Sequence, residues 1–167
     1  MILSKNTAIA GTSLIESTIA AATSALFLGS LFTMNMSAMK TIRTAREVTC
    51  ASQVLQQRVE SMRIANWHQV TDPDWISTNL LNSTAAGADG LKQIKETLTL
   101  VPYGSATVGN TQIVRTGGTT QIVNRAALLA ESAMKVIWTV EYNGGINSQA
   151  ISRQTVAILA KGGVAKW

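Results

Sequence analysis

Cysteine and histidine each occur once, as Cys50 and His68. A single cysteine excludes an intrachain disulfide and a Cys-rich zinc site, and reads as a small buried hydrophobe. His68 stands near Asp72 and Asp74. A histidine with two aspartates can ligate a metal, but Asp72-Pro73-Asp74 reads more simply as a solvated turn, so neither metal nor cofactor is expected. Charged residues are also scarce, at 14% against 46% apolar. Soluble domains carry about a quarter charged residues, so part of this chain belongs in lipid or in a protein interior. The 14 Lys and Arg outnumber 9 Asp and Glu, for a formal charge of +5. No long block of like charge accompanies this excess, which is therefore a weak bias toward nucleic acid or anionic lipid. In the C-terminal half Lys92, Lys95, Arg115, Arg125, Arg153 and Lys161 are scattered. They lack the clustering with aromatics that marks a nucleic-acid surface, and nucleic acid is not expected as a partner. There is no P-loop, no Gly-x-Ser-x-Gly and no dinucleotide fingerprint. Cys50 and His68, about five helical turns apart, do not form a nucleophile pair. The chain does not read as an enzyme.

What is present begins near the N-terminus. From Ser17 to Met39 no residue is charged and none is proline. About 20 residues at 1.5 Å each suffice to cross a bilayer as a helix. The stretch is rich in Ala, Ser and Thr, small residues that let helices pack closely in a membrane. Glu16 lies at its start, after Leu14 and Ile15. A carboxylate deep in a bilayer costs about 2.5–3.5 kcal/mol and usually has a partner, while one at the interface is solvated; both readings of Glu16 are open. A secretory signal peptide competes, with Lys5 as its positive region and Ala20-Ala21-Ala22 offering small residues. The apolar stretch outruns a normal signal core, and a cut after Ala22 would discard Glu16.

Gly11-Thr12-Ser13-Leu14-Ile15-Glu16 resembles the type IV prepilin processing motif, a leader ending in Gly followed by Phe-Thr-Leu-Ile-Glu and an apolar helix. Leu14, Ile15 and Glu16 match outright, Ser13 stands for Thr, and Thr12 stands where Phe is usual. The resemblance implies cleavage after Gly11 by a prepilin peptidase, with Thr12 as the new, N-methylated terminus. It also implies that Glu16 pairs with the terminal amine of a neighbouring subunit, a charge pair that low dielectric strengthens and that sets one axial register. The implied partners are other pilin or pseudopilin subunits, the prepilin peptidase and an inner-membrane assembly platform. The implied location is the inner membrane, single-pass, with the C-terminal domain outside the cytoplasm, and then a pilus or pseudopilus. Lys40, Arg43 and Arg46 follow the apolar stretch and only Lys5 precedes it, so the positive-inside rule favours the opposite orientation. The alternative is an uncut, single-pass, membrane-anchored binding module.

Beyond Met39 the pattern turns amphipathic. Ile42, Ala45, Val48, Ser52, Leu55, Val59 and Met62 recur at spacings of three and four, with Arg43, Glu47, Gln56, Gln57, Arg58, Glu60 and Arg63 on the other face. Arg43 and Glu47 can pair. The helix is expected from about Ser13 to Asn66, stopped by Asp72-Pro73-Asp74. The run Ala51–Arg63 is similar to the corresponding helix of minor pilins and pseudopilins. Residues 67–90 read as loop. Strands are expected over Leu91–Val101, ended by Pro102, over Gln112–Arg115 and Thr120–Val123 around Thr116-Gly117-Gly118, over Lys135–Tyr142, and over Ala150–Ala160. Arg125–Met134 is expected as a short helix or an irregular link. The whole is an α+β arrangement, a long helix on an antiparallel sheet of about four strands, which is also the pilin fold. It divides into a leader (1–11), an apolar helical part (12–39), its amphipathic continuation (40–66) and a globular head (67–167). The lack of a cysteine pair near the C-terminus leans the resemblance toward a pseudopilin or minor pilin.

Overall fold

A computed structural model describes residues 7–104, 109–145 and 149–162, with side chains from Ser13 onward. The chain divides into two units, Met1–Ile42 and Arg43–Trp167. One helix, α1 (Thr7–Ile64), begins in the first and ends in the second.

In the first unit the described side chains, Ser13 through Ile42, are exposed. Leu26 is 75% and Phe32 71% accessible. The many hydroxyls do not break this helix, because they bond backward along it. Thr23 donates to the Ile19 carbonyl at 2.9 Å, Ser30 to Phe27 at 2.7 Å and Thr33 to Ser30 at 2.8 Å. Each such bond masks a polar group within the helix's own turn.

The second unit is a helix on a sheet. Strands β1 (Lys92–Pro102), β2 (Thr111–Thr116), β3 (Thr119–Asn124), β4 (Ala133–Asn143) and β5 (Ala150–Ala160) form one antiparallel sheet in the order β3-β2-β1-β4-β5. The sheet thus has five strands where about four were expected, since the hairpin contributes two short strands beside three of eleven residues. Its turn is Gly117-Gly118, at φ 59° and 88°. Two successive positive φ angles make the tight turn whose twist matches the strands, and glycine adopts them without strain. Alternation places Leu98 and Leu100 of β1, Ile113 of β2, and Met134, Val136, Trp138, Val140 and Tyr142 of β4 in the core.

The face that α1 buries differs from the one its apolar periodicity suggests. Glu47, Ala51, Val54, Leu55, Arg58 and Met62 are buried, whereas Ile42 and Ser52 are exposed. The spacing is still helical, but two charged residues lie on the inner stripe. Residues 67–90, expected as loop, contain short helical turns: α2 (Trp67–Val70), α3 (Pro73–Trp75), a π turn over Ile76–Leu80 and a 3-10 turn over Ala88–Gly90. Local capping restarts the helix each time. The Gln69 side chain accepts from the Asn66 N–H at 2.9 Å, and the Asp72 carboxylate accepts from the Asp74 N–H at 3.0 Å, with Pro73 in the first turn. These turns bury Val70, Ile76, Leu80 and Leu81. Residues 125–132 are irregular apart from one turn. The returning segment then crosses Cys50 so closely that a Cβ on Gly90 would stand 2.7 Å from the Cys50 sulfur.

The buried charges meet in one cluster. Glu96 of β1 has no accessible surface, and Arg58 of α1 and Arg115 of β2 are 2% and 5% accessible. Arg58 grips the carboxylate with two nitrogens, Nε to Oε2 at 2.8 Å and NH2 to Oε1 at 3.1 Å. Its remaining donors reach the carbonyls of Leu80 and Ser83. Arg115 adds a third bond to Oε1 at 3.1 Å, and its NH2 lies 3.5 Å from the Thr84 hydroxyl. Helix, returning segment and two strands are therefore tied at one carboxylate. Breaking such a buried group by removing one member strands a charge in low dielectric, at about 3–5 kcal/mol, whereas replacing every member with well-packed apolar residues is often neutral. Arg58→Ala is expected to lower unfolding free energy by that amount in chemical denaturation of the full chain in detergent. The triple replacement Arg58→Met, Glu96→Leu, Arg115→Met should recover most of the loss.

Candidate assembly segment and exposed polar sites

Gly11 and Thr12 fall in the first turns of α1, and their side chains lie outside the described residues. Glu16 is described and exposed. Its neighbours Ser17 and Thr18 both donate to the Leu14 carbonyl, at 2.9 and 2.8 Å. Those hydroxyls are thereby masked, and Glu16 is left as the single ionic group of residues 13–39. It joins none of the ion pairs among the described residues. By length and composition α1 can cross a membrane, and its apolar window has no buried share. A carboxylate at the rim of such a helix is suited to hold an amine or another cation.

The polar residues flagged in the sequence come out as structural. Asp72 caps α3, and Asp74 meets Arg125 with two contacts of 2.7 Å. Among the described residues no group of three or more His, Cys, Asp and Glu converges as a metal site would. Arg43 and Glu47 do pair, at 3.4 Å, and the Glu47 carboxylate also accepts from the Gly145 N–H at 3.0 Å. Cys50 is half-buried and free. Sequence reasoning missed the Arg58–Glu96–Arg115 cluster. The only hint of it is that Val54, Arg58 and Met62 succeed each other at four-residue spacing, which does not by itself tell a buried arginine from a solvated one. A shallow groove between α1 and β5, lined by Leu55, Val59 and Thr155 among others, was not visible at all.

No protein-family model, no curated protein and no solved structure matches this chain.

The exposed pair shifts both its partners: Asp74 downward and Arg125 upward, each through their shared hydrogen bond first. The hydrogen bond from Arg125 is the main cause that holds the Asp74 carboxyl below its ordinary 3.8; desolvation opposes it, and the Arg125 charge adds a smaller lowering. A lowered folded value means that the contribution of Asp74 to stability is present above the ordinary carboxylate range and is lost as pH falls through the lowered value. Exposure to solvent keeps that contribution small. In a carboxyl-detected NMR titration Asp74 should titrate below 3.8, and Arg125→Ala should bring it back toward that value.

Proposed function

We propose that the chain is a prepilin-like structural subunit, cut after Gly11 and assembled through α1 into a type IV pilus or a secretion-type pseudopilus. The observation that carries this reading is the apolar half of α1: an uncharged helical run, its described side chains exposed, with Glu16 at its start and the prepilin-like motif Gly11–Glu16 around it. A monomer in water has no use for so much exposed apolar surface; lipid and neighbouring helices both cover it. In this reading the helix first anchors the subunit in the inner membrane, with the head outside the cytoplasm. It then moves into a filament, where Glu16 meets the free amine at Thr12 of the next subunit. The long helix laid on an antiparallel sheet supports the same reading, because that is the arrangement the resemblance implies. The role is mechanical: the described polar residues cap, brace and pair, and none forms a nucleophile–base couple. The partners are other subunits of the same kind, the prepilin peptidase and the assembly platform.

The test is the mature N-terminus. The chain is expressed with an active prepilin peptidase and, separately, with an inactive one, and the intact mass is measured. A chain beginning at Thr12 only beside the active peptidase is the expected result, with an added methyl group completing the match. A chain that keeps Met1 in both cases would establish the uncut membrane-anchored module instead.

A further inference from the structure

We propose that the free edge of β5 is a docking strand for an extended, acidic segment of a partner protein, which would join the sheet as a sixth strand. The inference uses only residues of the Arg43–Trp167 unit and does not rest on processing at Gly11.

Among the described residues the edge is unpaired. β5 pairs with β4 along all its eleven residues without a register shift, and no described strand lies on its other side. Protein sheets usually protect such an edge with proline, a bulge, a short strand or charged side chains. β5 has no proline and no bulge, it is not short, and its only charged residue is Arg153. The direction of its backbone groups follows from its partners. The Lys161 N–H donates to the Ser132 carbonyl at 2.7 Å, and the Gln149 carbonyl accepts from Gly144 at 2.9 Å. Residues of odd number therefore face β4, and alternation turns the N–H and C=O of Ser152, Gln154, Val156 and Ile158 to the open side.

Both faces beside that edge are prepared for side chains. On the helix side, the groove formed by Leu55, Gln56, Val59 and Glu60 of α1 with Gln154 and Thr155 of β5 runs next to the edge. On the opposite side, Val156 and Ile158 are 50% and 57% accessible, in register with Ile137 and Lys135 of β4. An added strand sends alternate residues to the two faces, which is how strand addition combines backbone affinity with side-chain selection.

Charge decides the occupant. Lys135, Arg153 and Lys161 are exposed around this edge, and none of them takes part in the ion pairs among the described residues. A second copy of β5 would bring another set of cations and no carboxylate, so self-pairing is disfavoured. A strand of alternating apolar and acidic residues covers Val156 and Ile158 with one face and turns its carboxylates to the face of Arg153 and Lys161.

The test uses the full chain in detergent micelles and two fluorescent peptides, one alternating valine with glutamate and one alternating valine with lysine. Anisotropy is expected to show saturable binding of the glutamate peptide, with the lysine peptide at least about tenfold weaker. Val156→Pro removes an N–H on the open side while leaving the bonds to β4, and should weaken the glutamate peptide by at least about tenfold with an unchanged denaturation midpoint. Arg153→Glu should abolish the preference for glutamate, and it carries the test if the proline variant does not fold. The proposal is overturned if neither peptide binds, if both bind equally, if a folded Val156→Pro chain binds as before, or if sedimentation shows the chain pairing with itself through β5.

Discussion

The carboxylate of Glu96, held between two guanidiniums in the interior, is the constraint on which the folded unit depends. It receives Arg58 from the helix and Arg115 from the adjoining strand, while Arg58 also gathers the carbonyls of Leu80 and Ser83. A contact across 38 residues, Arg58 to Glu96, and one across 19, Arg115 to Glu96, thus meet at one point. Such a group adds little net stability, because desolvation of three ions offsets most of the attraction, but it tolerates no mispairing. Sliding the helix by one turn along the sheet would leave Arg58 against Val or Leu and strand Glu96. The cluster therefore selects a register more than it strengthens one. Among the described residues Arg115 Nε, like Trp138 Nε1 and Tyr142 OH, meets no hydrogen-bond partner. The apolar core of Leu98, Leu100, Ile113, Val136 and their neighbours offsets the cost of desolvation.

The same helix solves the opposite problem in its first half. There the hydroxyls of Thr23, Ser30 and Thr33 are satisfied within the helix by carbonyls three or four residues back. These bonds depend on no distant residue. A backbone bonded entirely within its own helix is what a hydrocarbon environment demands. In the second half the polar side chains reach outward to residues far along the chain, including Glu47 to the backbone of Gly145 and Gln57 to that of Ala86. One continuous helix thus carries two chemistries, local satisfaction in the exposed half and long-range satisfaction in the packed half.

Capping and turn residues explain why the path between helix and sheet is compact. Asn66, Asp72 and Pro73 end one turn and begin the next, and the small Gly87 and Gly90 let the segment pass against Cys50. Gly87 has φ 87°, and a Cβ there would approach the Cys50 carbonyl to 2.9 Å, so both its conformation and its size are required.

Local periodicity by itself determined the helix, the Gly117-Gly118 hairpin, the alternating strands Lys135–Tyr142 and Ala150–Ala160, and the α+β class, because each is written in residues a few positions apart. The apolar run from Ser17 to Met39 and the position of Glu16 were equally legible, since they need no partner to be seen. The inward face of α1 was not: Arg58 and Glu47 read as solvent-facing charges, and only the folded chain supplies the Glu96 carboxylate and the Gly145 N–H that make their burial possible. The helical turns between 67 and 90 were missed for a related reason, as each is too short to show a period and is held by caps and by the core beneath Ile76 and Leu81. The order of the strands and the unpaired edge of β5 were decided by pairing at a distance. Sequence records what a residue does to its neighbours; the free energy of a buried charge depends on what it meets across the fold, and that is settled only when the chain closes on itself.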